Sequence, residues 1–531
     1  MKLFITTLLI CSVNMLLLAQ KPIIHLTFSE GDQAQNKPLI KSNEAIYTVD
    51  LMRQQFSAGL KDYALDLSEN AMYRRPWLLD TLITRAIDTE GSFSVQVWVK
   101  TLPDAAQGTP IIGNKKSDDL KAPGWLITTQ RNGAWALNLS DGKGQYNYQP
   151  TERQLVNDGK WHQLLISIER PKNEVRMYFD GNPVAIYNLE NLGDLSSPLH
   201  TVAGGSDEYF EWGSAGQWKA FNGYLDEVKI WNRVVTAEEV KVGWAEFFPE
   251  AYPNEIKPTP QQIKVMAWNI WHGGRRYGEQ VGVKRTIETI RDANADIICL
   301  IETYGSGEEI ADALGYHFYL ISSNLSIMSR YPITETIEAF RPFNFGGAVV
   351  QLVPGKKLLV LDTWLHYLPN YMKAVTEKTT TVEELIAAEG ETRHAEIKAI
   401  LDEIQPYLKG EDYADILMAG DFNSGSHLDW TPETKNIHQG YVVEWPVSKA
   451  MTDAGFIDSY RELHIDVATD PGYTWTPRAA TSSKHYGIRD RIDYIYYRGE
   501  GLKPIFSKVL DYHPIMFPSD HAGVVTVFRV R

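Results

Sequence analysis

The 531-residue chain has little cysteine: two residues, Cys11 and Cys299. Cys11 lies in the apolar N-terminal stretch. Cys299 lies inside the run Ile297-Ile298-Cys299-Leu300-Ile301. A fold stapled by disulfides is excluded. No run of lysine or arginine occurs in the C-terminal half, and 52 Lys and Arg stand against 67 Asp and Glu, a net charge of −15. That weighs against a protein that binds nucleic acid mainly by neutralising its phosphates. It leaves room for a nuclease, which needs only a local site or a metal. Beyond the N-terminus no stretch reaches the roughly 18 apolar residues of a spanning helix, so stable membrane insertion is not expected. Internal repeats and low-complexity tracts are also missing.

What is present is ordinary for a globular protein, 44% hydrophobic and 22% charged residues. At about 150 residues per domain, more than one domain is expected. Fifteen Trp and 27 Tyr suggest a β-rich core, stacking surfaces, or both. Residues 1–19 read as an export signal: Lys2, an apolar run, a polar break at Ser12–Asn14, then Ala19 before Gln20. The protein is expected in the periplasm, on the cell surface or outside the cell.

Residues 22–245 read as all-β. Phe93, Val95, Val97 and Val99 alternate with Ser94, Gln96, Trp98 and Lys100, the period of a half-buried strand. Val175, Met177 and Phe179 alternate before the turn Asp180-Gly181-Asn182-Pro183. With Gly91-Ser92-Phe93-Ser94-Val95, Asp158-Gly159-Lys160-Trp161-His162 and Phe221-Asn222-Gly223-Tyr224-Leu225-Asp226-Glu227-Val228, the segment resembles the laminin-G-like, concanavalin A-like jelly-roll family. The resemblance implies a β-sandwich and a carbohydrate ligand. Asp180 and Asp226 are read as turn residues, with calcium (Ca2+) ligation as the alternative.

Residues 246–262 hold Pro249, Pro253, Pro258 and Pro260 and read as a linker. From 263 to 531 strands and helices alternate, an α/β sandwich. Val283, Ile287 and Ile290 mark one helix face, and Ile397, Ile400, Leu401 and Ile404 another. Polar residues recur where apolar strands end or begin: Asn269, Glu302, His366, Asp421, Asn423, Asp493, Asp520 and His521. Such groups at adjacent strand ends would line one crevice. Their oxygens suit a hard divalent cation, and the histidines add proton transfer.

The motifs Met266-Ala267-Trp268-Asn269-Ile270, Asp296-Ile297-Ile298-Cys299-Leu300-Ile301-Glu302, Ser326-Ile327-Met328-Ser329-Arg330-Tyr331-Pro332, Gly420-Asp421-Phe422-Asn423, Arg491-Ile492-Asp493-Tyr494 and Ser519-Asp520-His521 together resemble the endonuclease/exonuclease/phosphatase superfamily, with its deoxyribonuclease I-like four-layer α/β sandwich. The resemblance implies a hydrolase that uses magnesium (Mg2+) or manganese (Mn2+). Asn269, Glu302 and Asp520 would hold the metal. Asp421 would orient water, Asn423 would bind a phosphate oxygen, and His521, oriented by Asp493, would stabilise the phosphoryl group or act as acid/base. His366 matches the second family histidine less closely, because Thr363-Trp364-Leu365 intervenes.

Arg393, Trp475 and His427 are candidate substrate contacts, beside Arg275, Arg276, Arg478, Lys484 and Arg489. Trp268, Trp271, Trp430, Trp445 and Trp475 are candidate rim residues. The absence of a basic run favours a small or glycan-linked phosphate ester over a nucleic acid. Three readings follow: an exported metal-dependent phosphodiesterase or phosphatase targeted to a glycan, an extracellular nuclease, and a non-catalytic glycan-binding or adhesion protein.

Overall fold

The computed structural model describes residues 21–531 apart from 29–30, 33–36, 42–45, 49–54, 70–75, 79–86, 106–107, 191, 207–220, 252–258, 411–412 and 477–488. The signal segment, part of the linker, Arg478 and Lys484 lie outside the described residues. The chain divides into two units, one of residues up to 182 with 191–252, the other of 183–190 with 253–531.

Among the described residues the first unit is built of β-strands with one α-helix. Strand Phe93–Lys100 pairs antiparallel with His162–Glu169 and Tyr224–Trp231. A second sheet of six strands runs from Gln145–Tyr148 through Trp135–Ser140, Gly124–Thr129, Pro110–Gly113 and Val202–Ala203 to Trp77–Leu78. Phe93–Lys100 is not half-buried, as its alternation predicts. Ser94, Gln96 and Trp98 are buried too. Trp98 stacks on Trp244 at 5.1 Å, and Phe247 and Phe248 pack beside it. Trp244 belongs to helix Ala237–Ala245, which starts with a capping box at Thr236 and Glu239. The Asp180 and Asp226 carboxylates are both engaged inside this unit. Asp180 meets His162 Nδ1 and the Gln163 N–H, each at 2.9 Å. Asp226 accepts the N–H groups of Leu60 and Glu227.

The second unit is an α/β sandwich of two facing sheets. In one, Gln262–Asn269 runs parallel to Ile297–Ile301 and antiparallel to Gly523–Val530. Residues 183–190 belong here, where the strand they form runs parallel to His317–Leu320. The other sheet runs Ile333–Ile337, Phe345–Val353, Lys356–Trp364, Ile416–Asp421, Asp493–Arg498, Ile457–Asp458. Between the sheets lies a core of Ile263, Val265, Ala267, Ile297, Cys299, Ile301, Val360, Leu417, Ala419 and Ile495. Alternation dictates this face, because every second residue of each strand points inward. Helix Arg393–Glu403 buries Ile397, Ile400 and Leu401 on the outer face of the second sheet. Helix Glu279–Ala293 buries Val283, Ile287 and Ile290. The long stretch 369–392 forms two helices, Tyr371–Glu377 and Val382–Gly390. Among the described residues no helix is long and apolar enough to cross a membrane.

Candidate active site

Each candidate side chain of the central group sits where a strand ends or begins. Asn269 closes Gln262–Asn269, and Glu302 follows Ile297–Ile301. Asp421 closes one strand and Asp493 opens its antiparallel neighbour, the two directly opposite each other. His521 lies just before Gly523–Val530. Gly420 makes the close approach feasible: its φ is +141°, and a Cβ there would meet the Thr363 carbonyl oxygen at 2.0 Å.

His521 Nδ1 lies 2.9 Å from Asp493 Oδ2, and Nε2 lies 4.0 Å from Asp421 Oδ2. The candidate ligand atoms of Asp421, Asp493 and His521 fall within 4.8 Å of one another, and all three residues are buried. Asn269 Nδ2 donates to Asp421 Oδ2 at 3.1 Å and to Glu302 Oε1 at 3.3 Å. Glu302 Oε2 accepts the His272 N–H at 2.9 Å. Ser519 links two halves of the site: its hydroxyl donates to the Asn269 carbonyl and accepts the His521 N–H.

The electrostatics follow from this crowding. Burial, together with the Asp493 charge, pushes the Asp421 carboxyl up to about 7. Burial disfavours protonated His521, but Asp493, Asp421 and Asp520 outweigh it and hold the imidazole well above its ordinary value. The Asp493 contact fixes the Nδ1 proton and leaves Nε2 toward Asp421. The carboxylates of Asp421, Asp493 and Asp520 thus gather around one imidazole, and Asn269 links Glu302 to the group. Oxygen donors of this density fit a hard divalent cation.

The backbone is strained at the same place. Trp271, His272, Glu302 and Asn423 all have φ between +49° and +58°, a region that non-glycine residues seldom adopt.

The remaining candidates separate. Asn423 donates its Nδ2 to the Leu365 carbonyl at 2.9 Å, which leaves the second N–H of that amide for an anion. The His366 ring makes its hydrogen bonds within its own loop, at Leu368. His427 is half-buried and held by Ser448 through Nδ1 at 2.8 Å. Trp475 is half-buried, and its backbone bridges to His521. Arg393 is not a substrate contact. It is 1% exposed, and its guanidinium donates to the carbonyls of His366 and Pro369. Trp268, Trp430 and Trp445 are fully buried and belong to the core, not to a rim.

Two contributors escaped sequence reasoning. Glu389 is fully buried, bonded to the Ser424 hydroxyl and the Val447 N–H, and 3.7 Å from Arg393 Nε. Together Glu389 and Arg393 brace the loops after His366 and Asp421. Their i,i+4 spacing across Thr392 was the available signal. Trp364 takes the rung beside Asp421 in the parallel pair of strands, and the register alone reveals it.

The family comparisons agree with this geometry. Residues 266–521 match the Endonuclease/Exonuclease/phosphatase family, and residues 81–241 match the Concanavalin A-like lectin/glucanases superfamily. Along the chain, a region similar to concanavalin A-like lectins and glucanases thus precedes one similar to the endonuclease/exonuclease/phosphatase family. An uncharacterized protein of Caenorhabditis elegans is 28% identical over 257 residues, 45% of this chain and 80% of that protein. Non-toxic nonhemagglutinin type A of Clostridium botulinum is 24% identical over 162 residues, 30% of this chain and 12% of that much longer protein. Among solved structures, truncated Caenorhabditis elegans TDP2 shares 17% identity over 51% of this chain and 98% of its own, with a TM-score of 0.35.

Proposed function

We propose that the chain is an exported, divalent-metal-dependent phosphodiesterase acting on a small phosphoric ester, with the concanavalin A-like domain holding it at a glycan or glycoconjugate. The observation that carries the catalytic part is the Asp493–His521–Asp421 arrangement. A phosphodiester is an anion that repels hydroxide, so its hydrolysis needs positive charge at the phosphoryl oxygens and an oriented water. His521, kept protonated by its acidic neighbours, supplies the charge through Nε2–H. Asp493 keeps the ring in place. Asp421, with a carboxyl near neutrality, orients the water and takes its proton. Asn423 offers its second N–H to a phosphoryl oxygen. Asn269, Glu302 and Asp520 would hold Mg2+ or Mn2+, which when bound neutralises non-bridging oxygen and leaving alkoxide.

The test is hydrolysis of a panel by the purified mature protein with Mg2+, Mn2+, Ca2+ or EDTA, beside His521→Ala. The panel holds a chromogenic diester, a chromogenic monoester, duplex DNA, RNA and phospholipid headgroups. Metal-dependent cleavage of the small diester that EDTA and the variant both abolish is expected. Faster cleavage of DNA or RNA would replace this reading with that of an extracellular nuclease. Metal binding without turnover on any substrate would overturn the catalytic reading. Glycan arrays on the full chain test the targeting role, and no retained glycan would remove it. Fractionation of expressing cells tests export, and a chain that keeps residues 1–19 in the cytoplasm would refute it.

A further inference from the structure

Beside Asp421 the surface is built of rings. Trp364 and Asp421 are register partners on adjacent parallel strands, about 4.8 Å apart. Trp364 packs on the core face that holds Leu417 and Ala419, the face Asp421 shares by alternation. Two further rings lead outward from it. Phe343 meets Trp364 edge-on at 5.8 Å and 88°, and Tyr367 meets it at 6.0 Å. Phe343 is 41% exposed and Tyr367 55%. Tyr367 also lies parallel to the His366 ring, 5.4 Å away. No burial requirement explains such exposure of large apolar rings next to a buried acid.

Cations near this surface are spent elsewhere. Arg393 is bonded to backbone carbonyls inside the fold. Arg341, two residues before Phe343, is paired with Glu396 at 2.6 Å. A chain of phosphates would meet little free positive charge there. A flat, uncharged group beside a single phosphate would meet ring faces and edges.

We propose that Phe343, Trp364 and Tyr367 form a platform for an aromatic ring carried by one ester arm of the substrate. This deepens the reading of the site as a phosphodiesterase and rests on it. The ring could belong to a nucleobase or to a simple aryl group, since both offer the same stacking face.

The experiment compares three diesters that share an alkoxide leaving group: diethyl phosphate, ethyl benzyl phosphate and the ethyl ester of thymidine 5′-phosphate, followed by phosphorus NMR. Stacking of about 1–3 kcal/mol per base predicts kcat/KM for the ring-bearing esters roughly 5- to 150-fold above diethyl phosphate. In the Phe343→Ala/Tyr367→Ala protein that ratio falls toward one, mainly through KM. A thymidine ester faster than the benzyl ester supports a nucleoside arm, and equal rates support any aryl arm. Equal rates for all three esters overturn the platform, as does a ratio that survives the double substitution. Calorimetric titration with ethylphosphonate and benzylphosphonate separates the two readings. If no ester turns over, tighter binding of benzylphosphonate, lost in the double variant, keeps the platform while the hydrolase reading fails. Equal binding of the two phosphonates removes the platform as well.

Discussion

The two units differ in what they set beside a buried acid. In the β-sandwich Glu227 lies against His25 at 2.8 Å and Lys229 at 2.7 Å. Burial alone would raise its carboxyl, yet these partners bring it down to about 2. Asp158, an exposed acid, is also held at about 2, by His162 and Lys160. Asp226, lifted to about 7 by burial, and Glu174, raised by burial despite Arg176, are exceptions. In the α/β unit Asp421 rises to about 7, first through burial and then because its neighbour Asp493 is another acid. Glu227 of the sandwich is thus paired with cationic neighbours, whereas Asp421 of the α/β unit faces a second acid. Uncompensated acids grouped with an imidazole at strand ends mark where chemistry can happen.

The sharpest way to break the contrast is Asp493→Asn. The ring of His521 loses its charged partner while the volume is kept. A fall in kcat of about 10²- to 10⁴-fold, with KM little changed, is expected in steady-state kinetics. A fall below threefold would show that Asp493 does not orient His521.

Arg393→Met tests the brace. It leaves buried Glu389 without its neighbouring cation, and about 3–5 kcal/mol of stability is expected to go. Thermal unfolding reads this, and adding Glu389→Gln should restore part of it. No loss in the single variant would remove the bracing role.

Asp421→Asn sharpens the comparison through pH. The folded value of about 7 lies above the ordinary 3.8, so the stabilising contribution is complete below about pH 4 and is lost as pH rises through 7. In the metal-free protein the substitution should therefore raise Tm at pH 8 by about 2–6 °C and give a smaller gain at pH 5. A lower Tm at pH 8 than at pH 5, relative to the parent, would contradict the sign.

Glu227→Gln should do the reverse in the sandwich. Its folded value of about 2 lies below the ordinary 4.5, so its contribution is present above about pH 5 and vanishes as pH falls to 2. A loss of about 1–2 kcal/mol at pH 7, fading below pH 3, is expected in denaturant unfolding.

Much of this could be read before the fold was seen. Apolar runs such as Ile297–Ile301 named strands, and the polar residue at each run's end named the crevice, because strands in register share their ends. What stayed hidden depended on depth. Arg393 carries a visible charge, but its helix turns that charge inward to two carbonyls. Trp268, Trp430 and Trp445 carry visible ring systems that pack in the core. Phe93–Lys100 alternates like a half-buried strand, yet the helix bearing Trp244 covers its polar face. Trp364 gained its place beside Asp421 only through strand register, which no local pattern encodes.

The left-handed backbone at Trp271, His272 and Glu302 leaves a record in descent. The backbone there is held against its own preference, with the Trp271 and His272 N–H groups bonded to Asn269 Oδ1 and Glu302 Oε2. A duplicated copy freed from its reaction would have nothing to hold them. It would drift first at these positions, toward glycine and asparagine, while Val360 and Leu417 in the core stayed apolar. Living lineages and retired ones should therefore be told apart by three residues, well before the fold itself shows any decay.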